Sequence, residues 1–551
     1  MEPVMLSMDK QEAAKQAARA YRSLDLSGSQ LAHLELLMAG YYGLLRGYPD
    51  SEAGLRMFRQ LLAVAHGGLP VPSLAVEEAF GTTVNAGERL ALRDPEGILL
   101  AILTVSDVWR GSEPATDLAA PVGGTVSHGT STFIAGRIDG VEMPVHYDFP
   151  VLRLTADELH KQYGRHGWRR ILACQPARLI HRAEAARIAH AARLVQAGVL
   201  VQVLATEEQT VTLDHYTRVR CIEHSLRYLS DRGALMTLLP MPPLSHGASE
   251  VIWRAMLAHN AGATHLLVEP EWWGETSPPD RAPVLTTLKH IGVELVDLPQ
   301  FVRDANLDAF LPLIGDPEGD GDRATDNLVT RIRSGADIPA WVSFPEILAE
   351  LRRSHPVRGR QGVTVFFTGL SGAGKSTIAR VLLAKLLEIG ERTVTLLDGD
   401  IVRKNLSSEL GFSRQHRDLN ILRIGFVASE ITKHGGIAIC APIAPYRETR
   451  RRVRQMVEGL GGFFEIHVAT PLETCETRDR KGLYAKARAG LIKEFTGISD
   501  PYETPEHAEL VIDTRDCTPL ESAQLIINRL QKEGFLFACH ESGEPSIDLS
   551  H

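Results

Sequence analysis

Nine consecutive residues, Gly369-Leu370-Ser371-Gly372-Ala373-Gly374-Lys375-Ser376-Thr377, carry the spacing G-x-x-x-x-G-K-[ST]. Glycines let the backbone fold so that successive N–H groups point at one anion, with the positive end of a following helix behind them. The chemistry this serves is phosphate binding. Gly369, Ser371, Gly372, Ala373, Gly374, Lys375, Ser376 and Thr377 are the candidate residues around the phosphates of ATP, with Lys375 reaching the β/γ-phosphates and Ser376 holding Mg²⁺. The loop needs a strand before it and a helix after it. Val363 to Thr368 is a short apolar, β-branched and aromatic run, and Ile378, Val381, Leu382 and Leu386 recur at helical spacing.

A second chemical feature is Asp398-Gly399-Asp400, which ends the strand-like run Thr393 to Leu397. A carboxylate at that place either orients Mg²⁺ or accepts a hydroxyl proton, whereas Asp-Gly is also an ordinary turn dipeptide. Lys375, Asp398 and Asp400 are therefore the candidate catalytic residues, and Ser376 with Asp398 the candidate Mg²⁺ ligands. Which aspartate is base and which positions the metal stays open.

The chain has 551 residues, too many for one core, and about 150 residues per domain predicts three or four. It is 44% hydrophobic and 23% charged, an ordinary globular composition with no apolar run near the roughly 20 residues that span a bilayer. The polar start, with Glu2, Asp9, Lys10 and Glu12, lacks the pattern of a secretory signal, so the expected location is cytoplasmic. A net charge of −9 argues against a nucleic-acid-binding surface and leaves room for a local basic pocket. Six scattered cysteines without a C-x-x-C pair suggest neither a disulfide framework nor a zinc site.

Along the chain, residues 1–150 mix helical stretches (Gln11 to Tyr21, Leu31 to Met38) with strand-like runs (Gly97 to Val105, Thr132 to Arg137), as in an α+β or β-rich domain. From Trp168 the pattern alternates strand and helix: Arg170 to Cys174, Arg182 to Ala197, Val199 to Ala205. It predicts an α/β domain over 151–295 with a parallel sheet. A small subdomain is expected over 296–352 and a basic, Pro- and Gly-containing linker over 353–361. Residues 362–551 again alternate strand and helix, as in a P-loop kinase with a parallel sheet. The arginines from Arg447 to Arg454 read as a solvated helix face, with Arg447 the exception.

The C-terminal blocks carry a resemblance. Asp398-Gly399-Asp400-Ile401-Val402-Arg403, Leu410-Gly411-Phe412-Ser413, Arg417-Asp418-Leu419-Asn420-Ile421, Pro445-Tyr446-Arg447, Lys481-Gly482-Leu483-Tyr484 and Phe495-Thr496-Gly497-Ile498 are together closely similar to adenylylsulfate (APS) kinase over 362–551. That family transfers a phosphoryl group from ATP to the 3′-hydroxyl of APS, giving PAPS, with Mg²⁺ as cofactor. The resemblance implies APS contacts from Asp400, Arg403, Phe412, Arg417, Asn420, Ile443, Pro445, Arg447, Lys481 and Phe495. Among these, Arg403 and Arg417 would hold the phosphosulfate, Phe412 and Phe495 would stack on the adenine, and Lys481 would ride on a lid from Arg478 to Phe495. Ala444 stands where the family has serine, so transfer is expected to be direct, without a phosphoserine intermediate.

Residues 20–350 look like ATP sulfurylase (sulfate adenylyltransferase). Leu34-Glu35-Leu36, Ala91-Leu92-Arg93-Asp94-Pro95-Glu96-Gly97, Gly167-Trp168, Gln175 with His181-Arg182-Ala183, Asp214-His215-Tyr216-Thr217-Arg218-Val219-Arg220, Thr264-His265 and Ile338-Pro339-Ala340-Trp341 carry the likeness. It implies a β-rich (PUA-like) domain, an α/β nucleotidylyltransferase-like domain and a small third subdomain. The anion-binding elements depart from that family. Gln175-Pro176-Ala177-Arg178-Leu179-Ile180-His181-Arg182-Ala183-Glu184 has alanine and arginine for the family's arginine and asparagine, and glutamate for its second histidine. Pro243 to Val251 lacks both family arginines, and Glu269-Pro270-Glu271-Trp272-Trp273-Gly274 replaces Gly-Arg with Glu-Pro and histidine with tryptophan. Arg178, one position from the lost arginine, points elsewhere on a loop, and His181 becomes a structural histidine.

Each lost donor at such a site costs about 3 kcal/mol, or 10²–10³ in rate. The sequence therefore predicts an APS kinase joined to an inactive sulfurylase-like scaffold or regulator. Its partners are the small molecules ATP and APS, with no nucleic acid or membrane, in a homo-oligomer (dimer or hexamer). The alternatives are an active bifunctional PAPS synthetase and a non-catalytic nucleotide-binding regulatory or assembly protein.

Overall fold

The structure is a computed structural model that describes residues 4–43, 45–50, 74–112, 130–205, 213–240, 248–273, 281–304, 306–312, 325, 327–411, 413–479, 482–492 and 494–537. It divides into two compact units, Met1–Leu328 with Ile338–Ser354, and Val329–Asp337 with His355–His551.

Among its described residues the first unit holds two large sheets and a two-stranded one. A six-stranded, mostly antiparallel sheet runs Arg22–Asp25, Arg89–Arg93, Leu99–Ser112, Thr130–Gly140, Gly47–Tyr48, with Ala75–Val76 also on Thr130–Gly140. Its long central strands extend past the runs read from sequence because their pairing with each other continues from Ala101↔Gly140 to Ser112↔Thr130. The second sheet is parallel and five-stranded, in the order Glu294–Val296, His265–Leu267, Ile171–Cys174, Gly198–Leu204, Ala234–Leu239. Gly198–Leu204 is buried throughout, as a strand covered by crossover helices on both faces must be. The strand order reverses between Ile171–Cys174 and His265–Leu267, which places the ligand crevice of such a sheet at their carboxyl ends. A two-stranded hairpin, Phe301–Asp304 with Ala309–Pro312, lies within the stretch read as a small subdomain.

The second unit is a three-layer α/β/α domain. Its parallel sheet runs Val394–Asp398, Ile437–Ala441, Val363–Thr368, Gly462–Val468, Leu510–Ile512. One face packs Val365, Phe367 and Ile439 against the helices Lys375–Ile389 and Pro519–Lys532 through Leu382, Ile526 and Leu530. The other packs Phe366, Ala438 and Cys440 against Arg414–Lys433 and Arg447–Glu458 through Ile424, Val453 and Val457. Both layers are apolar, so the all-buried central strand Val363–Thr368 holds the loop that leaves its end.

No helix among the described residues is long and apolar enough to cross a membrane. Cys174, Cys221, Cys440 and Cys475 are buried free thiols, and burial pushes Cys221 up to about 12.

Candidate active site

The phosphate loop leaves the central strand at Gly369, whose φ of +145° and position 2.5 Å (for an added Cβ) from the Val468 carbonyl admit only glycine. Gly374, at φ +108°, caps the helix Lys375–Ile389 and brings no side chain to compete for its first N–H groups. The loop is tied down from behind. Thr470 and Thr514 donate to the Ala373 carbonyl at 3.0 and 3.2 Å, and the Tyr484 hydroxyl donates to the Ser371 carbonyl at 2.8 Å. Lys375 is buried, and its Nζ donates to the carbonyls of Gly369 and Leu370 at 2.9 and 2.7 Å. Ser376 is half-buried and Thr377 exposed on the first turn.

Asp398 ends an edge strand, paired with Ala441 of the neighbour that separates it from the loop strand, and is buried. Gly399 and Asp400 already belong to the next helix, Gly399–Asn405, so the Asp-Gly pair is a strand-to-helix junction and not a surface turn. The Asp400 side chain, Phe412 and Lys481 lie outside the described residues. No cluster of three or more His, Cys, Asp or Glu able to hold a metal occurs among the described residues. The oxygen-only pair Ser376 and Asp398 suits a hard cation that takes its remaining ligands from phosphates and water.

On the acceptor side, Arg403 donates to the carbonyls of Leu410 and Gly411 at 3.0 and 2.9 Å, and Gly411 N donates to His416 Nδ1 at 2.8 Å; these bonds shape the loop before Phe412. Arg417 Nη1 donates to Thr496 Oγ1 at 2.8 Å and lies 2.9 Å from Asp500 Oδ2, while Nη2 donates to the Tyr446 hydroxyl at 2.8 Å. That hydroxyl donates to Asp500 Oδ2, also at 2.8 Å. Burial, then the bond to Asp500, pushes the Tyr446 phenol up to about 12, so it stays neutral. Asn420 is buried on the same helix as Arg417, three residues on, and its Oδ1 has no partner among the described residues. Ile443 accepts at its carbonyl from Gly369 N and Thr368 Oγ1, at 3.2 and 2.9 Å, and Pro445 accepts from Glu503 N at 2.9 Å. Phe495 is half-buried, edge-on to Tyr484 at 5.0 Å. Arg447 is exposed and paired with Glu506 at 2.8 Å. The stretch read as a lid contains the helix Leu483–Arg488, whose start is fixed by Asp479 accepting from Leu483 N and Ala485 N at 2.8 and 3.0 Å.

The arginine-rich helix corrects the expectation of a solvated face. Arg450 is 3% exposed and pairs with Glu465 at 2.7 Å, and Arg454 bonds Glu458, Glu465 and Glu509. Helical spacing turns these two inward, which residue type alone hides. Arg450 Nη1 also donates to the Ala444 carbonyl at 2.8 Å, and Thr368 Oγ1 at 3.0 Å, holding Ala444 at φ +46°. Sequence reasoning missed Asp500 and Arg450; the only signal was their closeness to the quoted blocks.

At the crevice of the first unit, Gln175 is buried and shared between Gln202 (2.8 Å) and Arg254 (2.9 Å). Arg254 is itself paired with buried Glu250 at 2.6 Å. Glu184 and Glu269, both of them departures noted above, grip the buried guanidinium of Arg187 at 2.8 and 2.5 Å. Arg218 donates to the carbonyls of Leu204 and Pro176, and burial, then Arg254, lowers its pKa. His181 Nδ1 lies 2.8 Å from Ser343 Oγ, and burial holds the imidazole down at about 4. Arg178 is exposed. Residues 243–247 and Gly274 lie outside the described residues.

Comparison with known proteins gives three family matches: the PUA-like domain over residues 1–126, ATP-sulfurylase over 150–354 and adenylylsulphate kinase over 361–513. A sulfate adenylyltransferase of Phaeosphaeria nodorum is 37% identical over 536 residues, with 93% of each chain covered. One from Neurospora crassa is 36% identical, covering 94% of this chain and 95% of its own. Among solved structures, a hexameric APS kinase from Thiobacillus denitrificans superposes with a TM-score of 0.73 at 39% identity, covering 97% of this chain and 98% of its own. The chain belongs to the sulfate adenylyltransferase family, as a fusion of PUA-like and ATP-sulfurylase domains to a C-terminal APS kinase domain.

Proposed function

We propose that the chain phosphorylates the 3′-hydroxyl of APS through its C-terminal domain, and that the sulfurylase-like region has lost adenylyl transfer and serves as scaffold or regulator. The observation that carries the first half is the convergence, at the carboxyl ends of one sheet, of a complete phosphate loop, buried Asp398 and a set of anion-binding groups headed by Arg417. In this reading the loop N–H groups and Lys375 hold the β/γ-phosphates, and Ser376 and Asp398 hold Mg²⁺. The bound Mg²⁺ would supply charge neutralisation on the phosphates. Asp398 or Asp400 accepts the proton as the 3′-oxygen bonds to the γ-phosphorus and the bond to the ADP oxygen breaks. Arg403, Arg417 and Asn420 bind the phosphosulfate end, Phe412 and Phe495 the adenine, Ile443, Pro445 and Arg447 border it, and Lys481 closes over it. Ala444, which has no hydroxyl, supports direct transfer. The division into 1–150, 151–295, 296–352 and 362–551, joined by 353–361, and a cytoplasmic homo-oligomer are part of the same reading.

The second half rests on Arg187. In the sulfurylase-like crevice its guanidinium is neutralised by Glu184 and Glu269, where an adenylyl-transfer site would need cations facing a polyphosphate. The naming of full-length relatives as sulfate adenylyltransferases favours a second reading, an active bifunctional enzyme. Two assays on one preparation separate them: PAPS formation from ATP, Mg²⁺ and APS, and ATP formation from APS and pyrophosphate. The first should run and the second should stay at background; robust ATP formation overturns the inactive half.

A further inference from the structure

Guanidinium has five N–H donors in a rigid fork: an end formed by Nη1 and Nη2, and a side formed by Nε and the second hydrogen of Nη2. In Arg417 the end is occupied. The Tyr446 hydroxyl takes an N–H from Nη2 and Thr496 one from Nη1, while Asp500 Oδ2, which accepts from that hydroxyl at 2.8 Å, stands 2.9 Å from Nη1 as the ion-pair partner. The side is unpaired: Nε is buried and has no partner among the described residues. Oxygens of a tetrahedral anion fit that side edge in a bidentate manner.

The carboxylate that sets this orientation is itself held. Asp500 N donates to the Phe495 carbonyl at 3.1 Å, and its own carbonyl accepts from Gly497 N at 2.7 Å, so the Phe495–Asp500 turn fixes the side chain. The Tyr446 ring is pinned by the guanidinium of Arg414, 4.4 Å from the ring centroid. Arg417 and Asp500 are only 12% and 14% exposed, so the pair keeps its geometry without competition from bulk water.

We propose that Asp500 is a positioning residue for the kinase site: through Tyr446 it locks the end of the Arg417 fork and turns the side edge toward the phosphosulfate of APS. The inference rests on the reading of the domain as an APS kinase. Asp500 touches no reacting atom, so its loss should weaken APS binding and spare the chemistry and the nucleotide.

The test uses the full chain with Asp500→Asn, which keeps size and an acceptor for Tyr446 and removes the charge. The KM for APS should rise about tenfold, with kcat within about threefold and the KM for ATP unchanged, and Asp500→Glu should recover much of the loss. An unchanged or lower KM for APS overturns the proposal, as does equal weakening of both substrates, which would mark a merely structural role. Should Asp500→Asn melt early, Tyr446→Phe keeps the ring and breaks the same lock; an unchanged APS affinity there also overturns it. Calorimetric titration of APS in the presence of ADP reads the same shift without turnover. A wild type that binds APS and makes no PAPS sinks the kinase reading alone, and the titration still decides the role of Asp500.

Discussion

Two crevices at the carboxyl ends of parallel sheets occupy this one chain, and they treat their arginines in opposite ways. In the kinase domain a single carboxylate, Asp500, pairs with one end of the Arg417 fork and leaves Nε without a partner among the described residues. In the sulfurylase-like domain two carboxylates, Glu184 and Glu269, close around Arg187 from both sides, and Arg254 is spent on Glu250 and Gln175. A buried cation is a binding group only when its counter-charge leaves donors over. Counting arginines near a crevice says little; what separates Arg417 from Arg187 is the counter-charge around each, since Arg218 in the sulfurylase-like crevice also keeps an Nε without a partner among the described residues.

The comparison breaks most readily at Lys375. Lys375→Ala should lower PAPS formation by about 10³ while leaving the background of ATP formation from APS and pyrophosphate untouched, measured in paired assays. A parallel fall in both would mean that the two crevices do not act separately. Next in size, Arg187→Leu strips the buried cation from two half-buried carboxylates and should cost the sulfurylase-like unit about 3 kcal/mol, read by denaturant melts, without a matching change in the KM for APS. A gain in ATP formation would instead mean that Arg187 was masking a competent site.

Acidification sharpens the same contrast. Burial holds His181 and His33 neutral, each down at about 4. The unfolded imidazole takes its proton near pH 6.5 and the folded one only near 4, so between these values the unfolded state binds more protons. Stability is whole above about pH 6.5 and drains by up to about 3 kcal/mol per histidine as pH falls to 4. Melting followed by proteolysis should show the pH dependence shallower in His181→Gln. The smallest effect is a control: Thr155 and Thr518 each close a capping box, one in either unit. Alanine at either should cost about 1 kcal/mol, with equal shifts in both units confirming that the difference lies in the crevices and not in the helices.

The phosphate loop was legible because its requirement is local. Glycines at φ values only glycine tolerates, the lysine, and the flanking strand and helix are all consecutive in sequence. The alternation of strands and helices in both parallel sheets was legible for the same reason, since each buried run reports its own burial. The ends of the long antiparallel strands were not, because their length is set by partners up to thirty-odd residues away. Arg450 escaped as well: it shares a helix with exposed Arg451, and only the packing of that helix over Phe463 and Phe366 decides which arginine faces Glu465.

By itself the sequence determined the chemistry on offer: a loop with the phosphate-binding spacing, carboxylates at a strand end, and the exchange of a family histidine for Glu184 and of Gly-Arg for Glu269-Pro270. Tertiary structure decided what those groups are free to do. Asp500 lies 83 positions from Arg417 and Glu269 lies 82 from Arg187 (500 − 417 and 269 − 187), yet each pair is in contact. A charge is a substrate ligand or a structural strut according to partners that folding brings from that far along the chain, at distances where fractions of an ångström settle how many donors remain.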